Sequence, residues 1–159
     1  MSTRLTQKGT PMVDSLALKL VQTASQVQEQ TTYFLSESLK NKGYQAVTPS
    51  ILNFLSALEC GVNYGSEIAR NLDVSRQMVA KTVKELSLQG YLEQVDDIGK
   101  QKKILFTKKG ELLMSDARQL LADIDILLMS QLSKKSLEVT INQLQSIQQI
   151  LSEKTNLCY

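Results

Sequence analysis

The sequence predicts a mainly α-helical chain that carries one small β-hairpin. Three observations predict this class. Apolar residues recur at helical spacing through most of the 159 residues, two short helical patterns meet at a tight turn near Asp73, and two short strand patterns follow them. With 42% apolar residues and a formal net charge of +2, the chain has the composition of a folded protein rather than of a disordered basic tail.

Two helical segments precede the central part of the chain. The first is predicted over Pro11–Lys42, because apolar side chains fall broadly at helical spacing and Gly43 follows as a helix stop. The second is predicted from Thr48, whose hydroxyl can cap a helix that has Pro49 in its first turn, to Cys60. Its predicted buried stripe comprises Ile51, Phe54, Leu55 and Leu58.

A short helix, a turn and a second helix occupy the centre of the sequence. Ser66–Leu72 has an apolar face, Asp73 tolerates the left-handed conformation of a turn, and Ser75 can cap the next helix. That helix runs to about Gln89, since Gly90 is the residue expected just past a helix end. Its predicted buried stripe comprises Val79, Val83 and Leu86, and its opposite face comprises Gln77, Lys81 and Lys84. An outer face of amide and ammonium groups fits the recognition helix of a helix-turn-helix.

A β-hairpin is predicted directly after this helix. Tyr91–Val95 and Lys102–Thr107 have strand composition, and Asp96–Gly99 has turn chemistry. Val62–Tyr64 is long enough for one more short strand, with Asn63 or Ser66 available to cap the helix that follows. The tip and return strand of the hairpin carry Lys100, Lys102 and Lys103. A hairpin in this place is the wing of a winged helix, and the sequence predicts a winged helix-turn-helix over residues 48–110.

The central residues resemble the MarR family of bacterial transcriptional regulators. The resemblance is carried by Thr48-Pro, Ile68-Ala, Leu72-Asp-Val-Ser-Arg-Gln-Met-Val, Gly90-Tyr-Leu-Glu and Phe106-Thr-Lys-Lys-Gly110. In two places the chain departs from that family. Tyr64 stands where the family usually has Thr or Ser, and the shorter wing carries Asp97 followed only by lysines, where the family usually has an aspartate followed by arginine. Because lysine lacks the planar fork of guanidinium, a wing arginine inserted into the minor groove is not expected here.

Two further helices are predicted after the wing. Glu111–Gln131 repeats apolar residues at helical spacing, and Ser133 can cap the last helix. That last helix has a near-heptad stripe formed by Leu137, Ile141, Leu144, Ile147 and Leu151. The winged helix is too small to bury all the long helices, so residues 10–43 and 111–155 are predicted to hold two copies together as a homodimer. The alternative is that these helices fold back on their own core.

Several classes of protein are disfavoured by what the sequence lacks. Without histidine, the common imidazole metal sites and histidine-dependent catalytic arrangements cannot be built, and the glycines form no phosphate-binding loop. We therefore expect no catalytic residue, metal site or cofactor, and hence no enzyme. No apolar run is long enough to cross a membrane, so the expected location is the cytoplasm. Cys60 is expected to be a small, partly buried side chain at a helix end rather than a redox sensor, because no basic residue adjoins it.

The sequence thus predicts a dimeric regulator of transcription that binds double-stranded DNA. Ser75 and Arg76 are expected to contact phosphate, Gln77 and Lys81 base edges, and Lys84 either of these. The wing lysines Lys100, Lys102 and Lys103 are expected on the DNA backbone or minor groove. The resemblance also implies a small aromatic effector between the dimerisation helices and the winged helix, near Tyr33, Tyr44 and Arg118, whereas Phe34 and Phe54 are expected to pack in the core. The alternative function is a winged-helix adaptor that binds a protein partner and does not recognise a DNA sequence.

Overall fold

The structure is a computed structural model that describes residues 3–5, 11–13, 15–97 and 102–156. It is mainly α-helical, with a winged helix-turn-helix between longer helices, as the sequence predicts. The chain divides into two compact units, one up to Ala117 and one from Arg118 onwards. The elements in chain order are β1 Thr3–Leu5, β2 Pro11–Val13, α1 Leu16–Asn41, α2 Pro49–Glu59, α3 Gly65–Asn71, α4 Arg76–Leu88, β3 Leu92–Asp96, β4 Lys102–Phe106, α5 Lys108–Gln131 and α6 Lys134–Asn156.

The first helix starts later than the sequence predicts. Residues 11–13 are not helical but form β2, which pairs antiparallel with β1. Ser15 has an extended backbone, and its hydroxyl accepts a hydrogen bond from the Leu18 amide at 3.4 Å. Such a capping residue lies outside the helix that it caps, so a helix beginning at Pro11 was the wrong prediction.

The C-terminal part of α1 joins the core of the winged part. Leu35 and Leu39 are buried, and the buried hydroxyl of Ser36 donates to the Val47 carbonyl at 2.7 Å. Phe34 lies outside this buried face and is 45% exposed in the single chain, so the expectation that it packs in the core is wrong. Phe54 on α2 is buried, as expected.

Local side chains set the ends of the helices in the winged part. The Thr48 hydroxyl caps α2 by accepting from the Ile51 amide at 3.3 Å, and Pro49 occupies the first turn. The turn between α3 and α4 places Asp73 at φ 51°, in the left-handed region. Cys60 caps the C-terminal end of α2, but it is exposed rather than partly buried, because the chain turns away at Gly61, whose φ is 93°.

The wing is a two-stranded sheet, and the short strand predicted at Val62–Tyr64 is reduced to an isolated bridge beside it. β3 and β4 pair antiparallel with Asp96 opposite Lys102, and Tyr64 forms an isolated bridge with Lys103 on the other edge of β4. The Asn63 carbonyl accepts from the Ile104 amide at 2.9 Å, and the Asn63 side chain donates to the Ile104 carbonyl at 3.1 Å. Since this pairing occupies Asn63, the prediction that Asn63 or Ser66 caps α3 is wrong: the capping residue is Tyr64, and no side chain makes the capping bond.

The wing is anchored where it meets α4 and α5. Tyr91 is buried at 1% exposure, and its carbonyl accepts from the Thr107 amide at 3.0 Å. The Thr107 hydroxyl donates to the Gly90 carbonyl at 2.6 Å and accepts from the Gly110 amide at 3.1 Å, so Thr107 caps α5. At Gly110 a Cβ atom would lie 2.1 Å from the Tyr91 carbonyl oxygen. Only glycine therefore fits at this contact between α5 and the base of the wing.

The C-terminal unit consists of the end of α5 and of α6. Ser133 caps α6 by accepting from the Ser136 amide at 3.2 Å, as predicted. Along both helices most of the large apolar side chains are exposed in the single chain. No helix in the part of the chain that the structure describes is long and apolar enough to span a membrane.

Candidate nucleic-acid interface

Helix α4 has one buried face and one polar, exposed face. Val79, Val83 and Leu86 are 3%, 3% and 0% exposed, which confirms the predicted buried stripe. The side chains on the outer face, Gln77, Lys81 and Lys84, are all exposed, as the helical period requires. The docked stripe thus fixes the direction in which these three polar groups point, and they point into solvent.

The beginning of α4 adds two further groups to this surface. The Ser75 hydroxyl accepts from the Met78 amide at 3.1 Å, which confirms the predicted cap. Arg76 is exposed in the first turn, and that turn contains no acidic residue. A helix N-terminus attracts anions, so an arginine at this position reinforces a positive end of the helix.

The wing carries less unopposed positive charge than the sequence order suggests. Lys102 is exposed and Lys103 is half-buried, whereas Lys100 lies outside the described residues. The register of the hairpin places Asp96 directly opposite Lys102, and residues that pair in register lie on the same face of a sheet. Asp96, which lies six positions before Lys102 in the sequence, is thus the nearest cross-strand neighbour of this predicted phosphate contact.

A hollow separates α4 from the wing and brings two of the predicted cations together. Its volume is about 320 Å³, and Arg76 from α4 and Lys102 from β4 both line it, with Gln94 from β3 and Tyr64 at the start of α3. Lys81 and Lys84 do not line this hollow and belong to the outer face alone. The surface therefore has two parts: a polar helix face and a cationic hollow next to it.

Two contributors to this region were not predicted, namely Tyr64 and Asp97. The Tyr64 hydroxyl donates to Oδ2 of Asp97, the last described residue before the turn of the wing. This hydrogen bond to a carboxylate raises the pKa of the Tyr64 phenol above its ordinary value, with burial and the nearby negative charge as smaller causes. The signal in the sequence was the tyrosine at a position where the related family has Thr or Ser, but its partner depends on the geometry of the hairpin.

The predicted effector residues occupy different environments. Tyr33 is 63% exposed on α1. Tyr44 is half-buried, and its hydroxyl donates to Oδ2 of Asp116 at 2.6 Å, while Lys42 pairs with Oδ1 of the same carboxylate at 3.0 Å. Burial, followed by the hydrogen bond to Asp116, raises the pKa of Tyr44 to about 12, and the same bond with the Lys42 contact lowers the pKa of Asp116. Arg118 is exposed on α5, in the C-terminal unit.

These elements, in this order, define a winged helix-turn-helix flanked by long helices. The fold is that of the MarR family of transcription regulators, since solved structures of that family match most of the chain. The S. aureus MepR–DNA complex matches with a TM-score of 0.66 and 17% identity, over 86% of this chain and 99% of that chain. The apo form of MarR from E. coli has a TM-score of 0.66 at 16% identity, over 86% of this chain and 98% of that one.

A third match shows a comparable degree of likeness. A MarR transcriptional regulator from Methanosarcina mazei matches with a TM-score of 0.67 and 14% identity, over 89% of this chain and 93% of that chain. No family sequence model matches the chain, and no curated protein matches it by sequence. At these identities the likeness establishes the fold, and the function has to be argued from the residues of the site.

Proposed function

We propose that the protein is a homodimeric, DNA-binding regulator of transcription. The observation that carries this proposal is the outer face of α4, which presents Gln77, Lys81 and Lys84 to solvent on a helix whose opposite face is fully docked. A supporting observation is that one structure with this fold is a protein–DNA complex. A protein with this role acts where the chromosome is, which fits the cytoplasmic location predicted from the sequence.

Helix α4 enters the major groove in the proposed complex. Gln77 and Lys81 face base edges, where a glutamine amide can pair with both edge groups of adenine. Ser75 and Arg76 lie at the N-terminal end of α4, and this end meets phosphate because helix N-termini and guanidinium groups both attract anions. Lys84, further along the same face, meets either a base edge or the backbone.

The wing contributes mainly affinity in this proposal. Lysine is a point charge on a flexible stem, so Lys100, Lys102 and Lys103 neutralise phosphate without reading sequence. The Asp96 carboxylate opposite Lys102 weakens the local positive potential, whereas Lys103 is opposite the uncharged Val95. We therefore expect Lys103 to contribute at least as much to DNA affinity as Lys102, although it is the less exposed of the two.

Two copies are needed for this function because a single recognition helix reads only one half-site. The proposed dimerisation part comprises residues 10–43 and 111–155, and many of its apolar side chains are exposed in the single chain. Examples from both ends are Leu16, Val21, Ile141 and Leu144, which are 84%, 61%, 53% and 42% exposed. In the proposed dimer a second copy covers these faces, and the two α4 helices read half-sites about one helical turn of DNA apart.

The proposed regulator also binds a small effector. A small aromatic molecule that contacts Tyr33, Tyr44 or Arg118 would bind close to the helices proposed to hold the dimer together. It would act by changing the spacing of the two α4 helices. Since the hydroxyl of Tyr44 is already bonded to Asp116, a ligand would have to use the face of the Tyr44 ring or break that bond.

A salt titration of variants on preferred and scrambled duplexes tests the proposal. Gln77→Ala should weaken binding to the preferred duplex by about 1–3 kcal/mol and leave the scrambled duplex unchanged. Lys103→Ala should weaken both and flatten the log–log salt dependence by about one unit per lost phosphate contact. Lys135→Ala, which removes an exposed lysine of α6 outside the proposed DNA-binding surface, is the charge-matched control. If the wild-type protein binds neither duplex at low salt, the DNA-binding function is wrong and the adaptor alternative gains support.

A further inference from the structure

Tyr64 connects both strands of the wing at the end that carries the turn. Its backbone forms the bridge to Lys103 on β4, and the adjacent Asn63 pairs with Ile104 through both its backbone and its side chain. The Tyr64 side chain then extends across to the other strand, where its hydroxyl donates to Asp97 directly after β3. One residue therefore holds the two strands at the end of the hairpin from which the turn projects.

The same residue faces the hollow between the wing and the recognition helix. Tyr64, Arg76 and Lys102 line this hollow together. The angle of the wing relative to α4 thus sets how far Lys102 lies from Arg76. Because both cations have to contact the same DNA backbone, a small change in this angle would cause a loss of phosphate contacts.

We propose that Tyr64 is a positioning residue for DNA binding: its hydrogen bond to Asp97 holds the wing at the angle that lets Lys102 and Lys103 reach the backbone while α4 lies in the groove. This inference rests on the proposed DNA-binding function. The bond is a charge-assisted one, since the acceptor is a carboxylate, and such bonds restrict geometry more than neutral ones. Tyr64 does not contact DNA in this proposal and acts through the two lysines.

The Tyr64 hydroxyl is separate from the interactions that hold the domain together. The core of the winged part is formed by side chains that are fully buried, whereas Tyr64 is half-exposed. Tyr64→Phe keeps the ring and the backbone bridge and removes only the bond to Asp97. We expect this variant to keep the melting temperature and helix content of the wild type, so that changes in DNA binding report on the wing.

The test is a salt titration of binding to a mixed-sequence duplex in two backgrounds. In the wild-type background, Tyr64→Phe should weaken binding by about threefold to tenfold and flatten the salt dependence, because phosphate contacts are lost. In the Lys102→Ala/Lys103→Ala background it should cause no additional loss, because the groups that it positions are absent. Asp97→Asn, which still offers an oxygen to the Tyr64 hydroxyl and removes a negative charge beside the DNA backbone, should bind at least as tightly as the wild type. In the Asp97→Ala background, where the bond is already lost, Tyr64→Phe should cause no additional loss.

Hydrogen exchange of the free protein separates the two ways in which this inference can fail. Tyr64→Phe should speed amide exchange in β4 and leave exchange in α4 unchanged. This result is expected whether or not the protein proves to bind DNA. An unchanged wing, or an equal loss of affinity in both lysine backgrounds, would overturn the positioning role while leaving the proposed function intact. If the wild-type protein binds no duplex, the proposed function is overturned, and with it any role of Tyr64 in DNA binding, even where β4 exchanges faster.

Discussion

The winged part and the C-terminal helices use their apolar side chains in opposite ways. Between residues 47 and 117 the large side chains are mostly interior, and Val47, Leu55, Ile68, Leu86 and Leu113 are essentially inaccessible to solvent. From residue 118 onwards most of the large apolar side chains are exposed, including Ile126 at 65% and Leu127 at 61%. The two regions have similar apolar content and nearly opposite burial.

This difference shows which region is complete in one chain. A helix that is apolar on most sides is stable only when it is covered, and large exposed apolar patches in soluble proteins mark interfaces. The winged part buries its stripes within its own unit, whereas the stripe of α6 has no cover sufficient for it in one copy. The comparison therefore predicts two kinds of response to substitution: loss of fold in the winged part and loss of assembly in the C-terminal helices.

The largest effect is expected from removing the last helix. Deletion of the residues after Lys134 takes away the whole stripe of α6, against which the second copy is proposed to pack. The truncated protein should aggregate or unfold, as light scattering and circular dichroism can measure. A soluble, well-folded monomer from this truncation would show that the C-terminal helix does not hold two copies together.

A single charge in the stripe of α6 should separate assembly from folding. Leu144→Asp places a carboxylate where the second copy is expected to pack, and an uncompensated buried charge costs about 3–5 kcal/mol. The dimer should dissociate in sedimentation experiments at concentrations where the wild type stays assembled. Asn142→Asp, which adds the same charge away from the centre of the stripe, is the matched control, and equal dissociation by both variants would contradict the predicted interface.

The winged part should instead lose stability when its closest backbone contact is disturbed. Gly110→Ala forces a methyl group towards the Tyr91 carbonyl, which lies 2.1 Å from the required Cβ position. The cost should be about 1–3 kcal/mol or more, because a backbone carbonyl cannot move aside as a flexible side chain can. Thermal unfolding measures it. Gly65→Ala is the control, since its Cβ would lie 3.6 Å from Val79, at ordinary contact distance.

The smallest expected effect is a pH response at the junction of α1 with α5. The pKa of Tyr44 is raised to about 12, so the folded state favours the protonated phenol that donates to Asp116. The resulting contribution to the free energy of unfolding is complete below the usual tyrosine pKa and is lost as the pH rises towards 12. The lowered pKa of Asp116 means that its contribution is present above the ordinary carboxyl pKa and is lost as the pH falls through the lowered value.

Tyrosine absorbance measures the alkaline half of this response. A late-titrating phenol with a midpoint near pH 12 should be present in the wild type and absent in Tyr44→Phe. Asp116→Ala should move this step back towards the ordinary tyrosine pKa, since it removes both the hydrogen bond and the negative charge. If a titration step near pH 12 remained in Tyr44→Phe, the late-titrating phenol would belong to another tyrosine.

Local chemistry made the helix-turn-helix predictable. The cap at Ser75, the left-handed Asp73 and the buried stripe of α4 each depend on residues within a few positions of one another. Such features follow from backbone hydrogen bonding and helical period, which the sequence displays directly. The same reasoning failed at Pro11, where spacing alone did not distinguish a helix from a strand.

Features that depend on long-range geometry were not predictable in the same way. The register that sets Asp96 opposite Lys102 follows from how the hairpin turns, and a shift of one residue would exchange the faces of every side chain in the strand. The bond between Tyr64 and Asp97 joins residues 33 positions apart. Burial of Phe34 was mispredicted because helical spacing shows that a face is apolar and does not show which molecule covers it.

The exposed thiol of Cys60 is a site for a spin label, with which the distance between the two copies of the proposed dimer can be measured. It caps the C-terminal end of α2, in the winged part, and is open to solvent. After replacement of Cys158 by serine, a nitroxide attached to Cys60 would give one spin label per copy. The distance between the two labels in a dimer would then measure how far apart the winged parts are held. Comparing that distance in the free and DNA-bound states, or on addition of a candidate effector, would turn a change of spacing into a directly observed length.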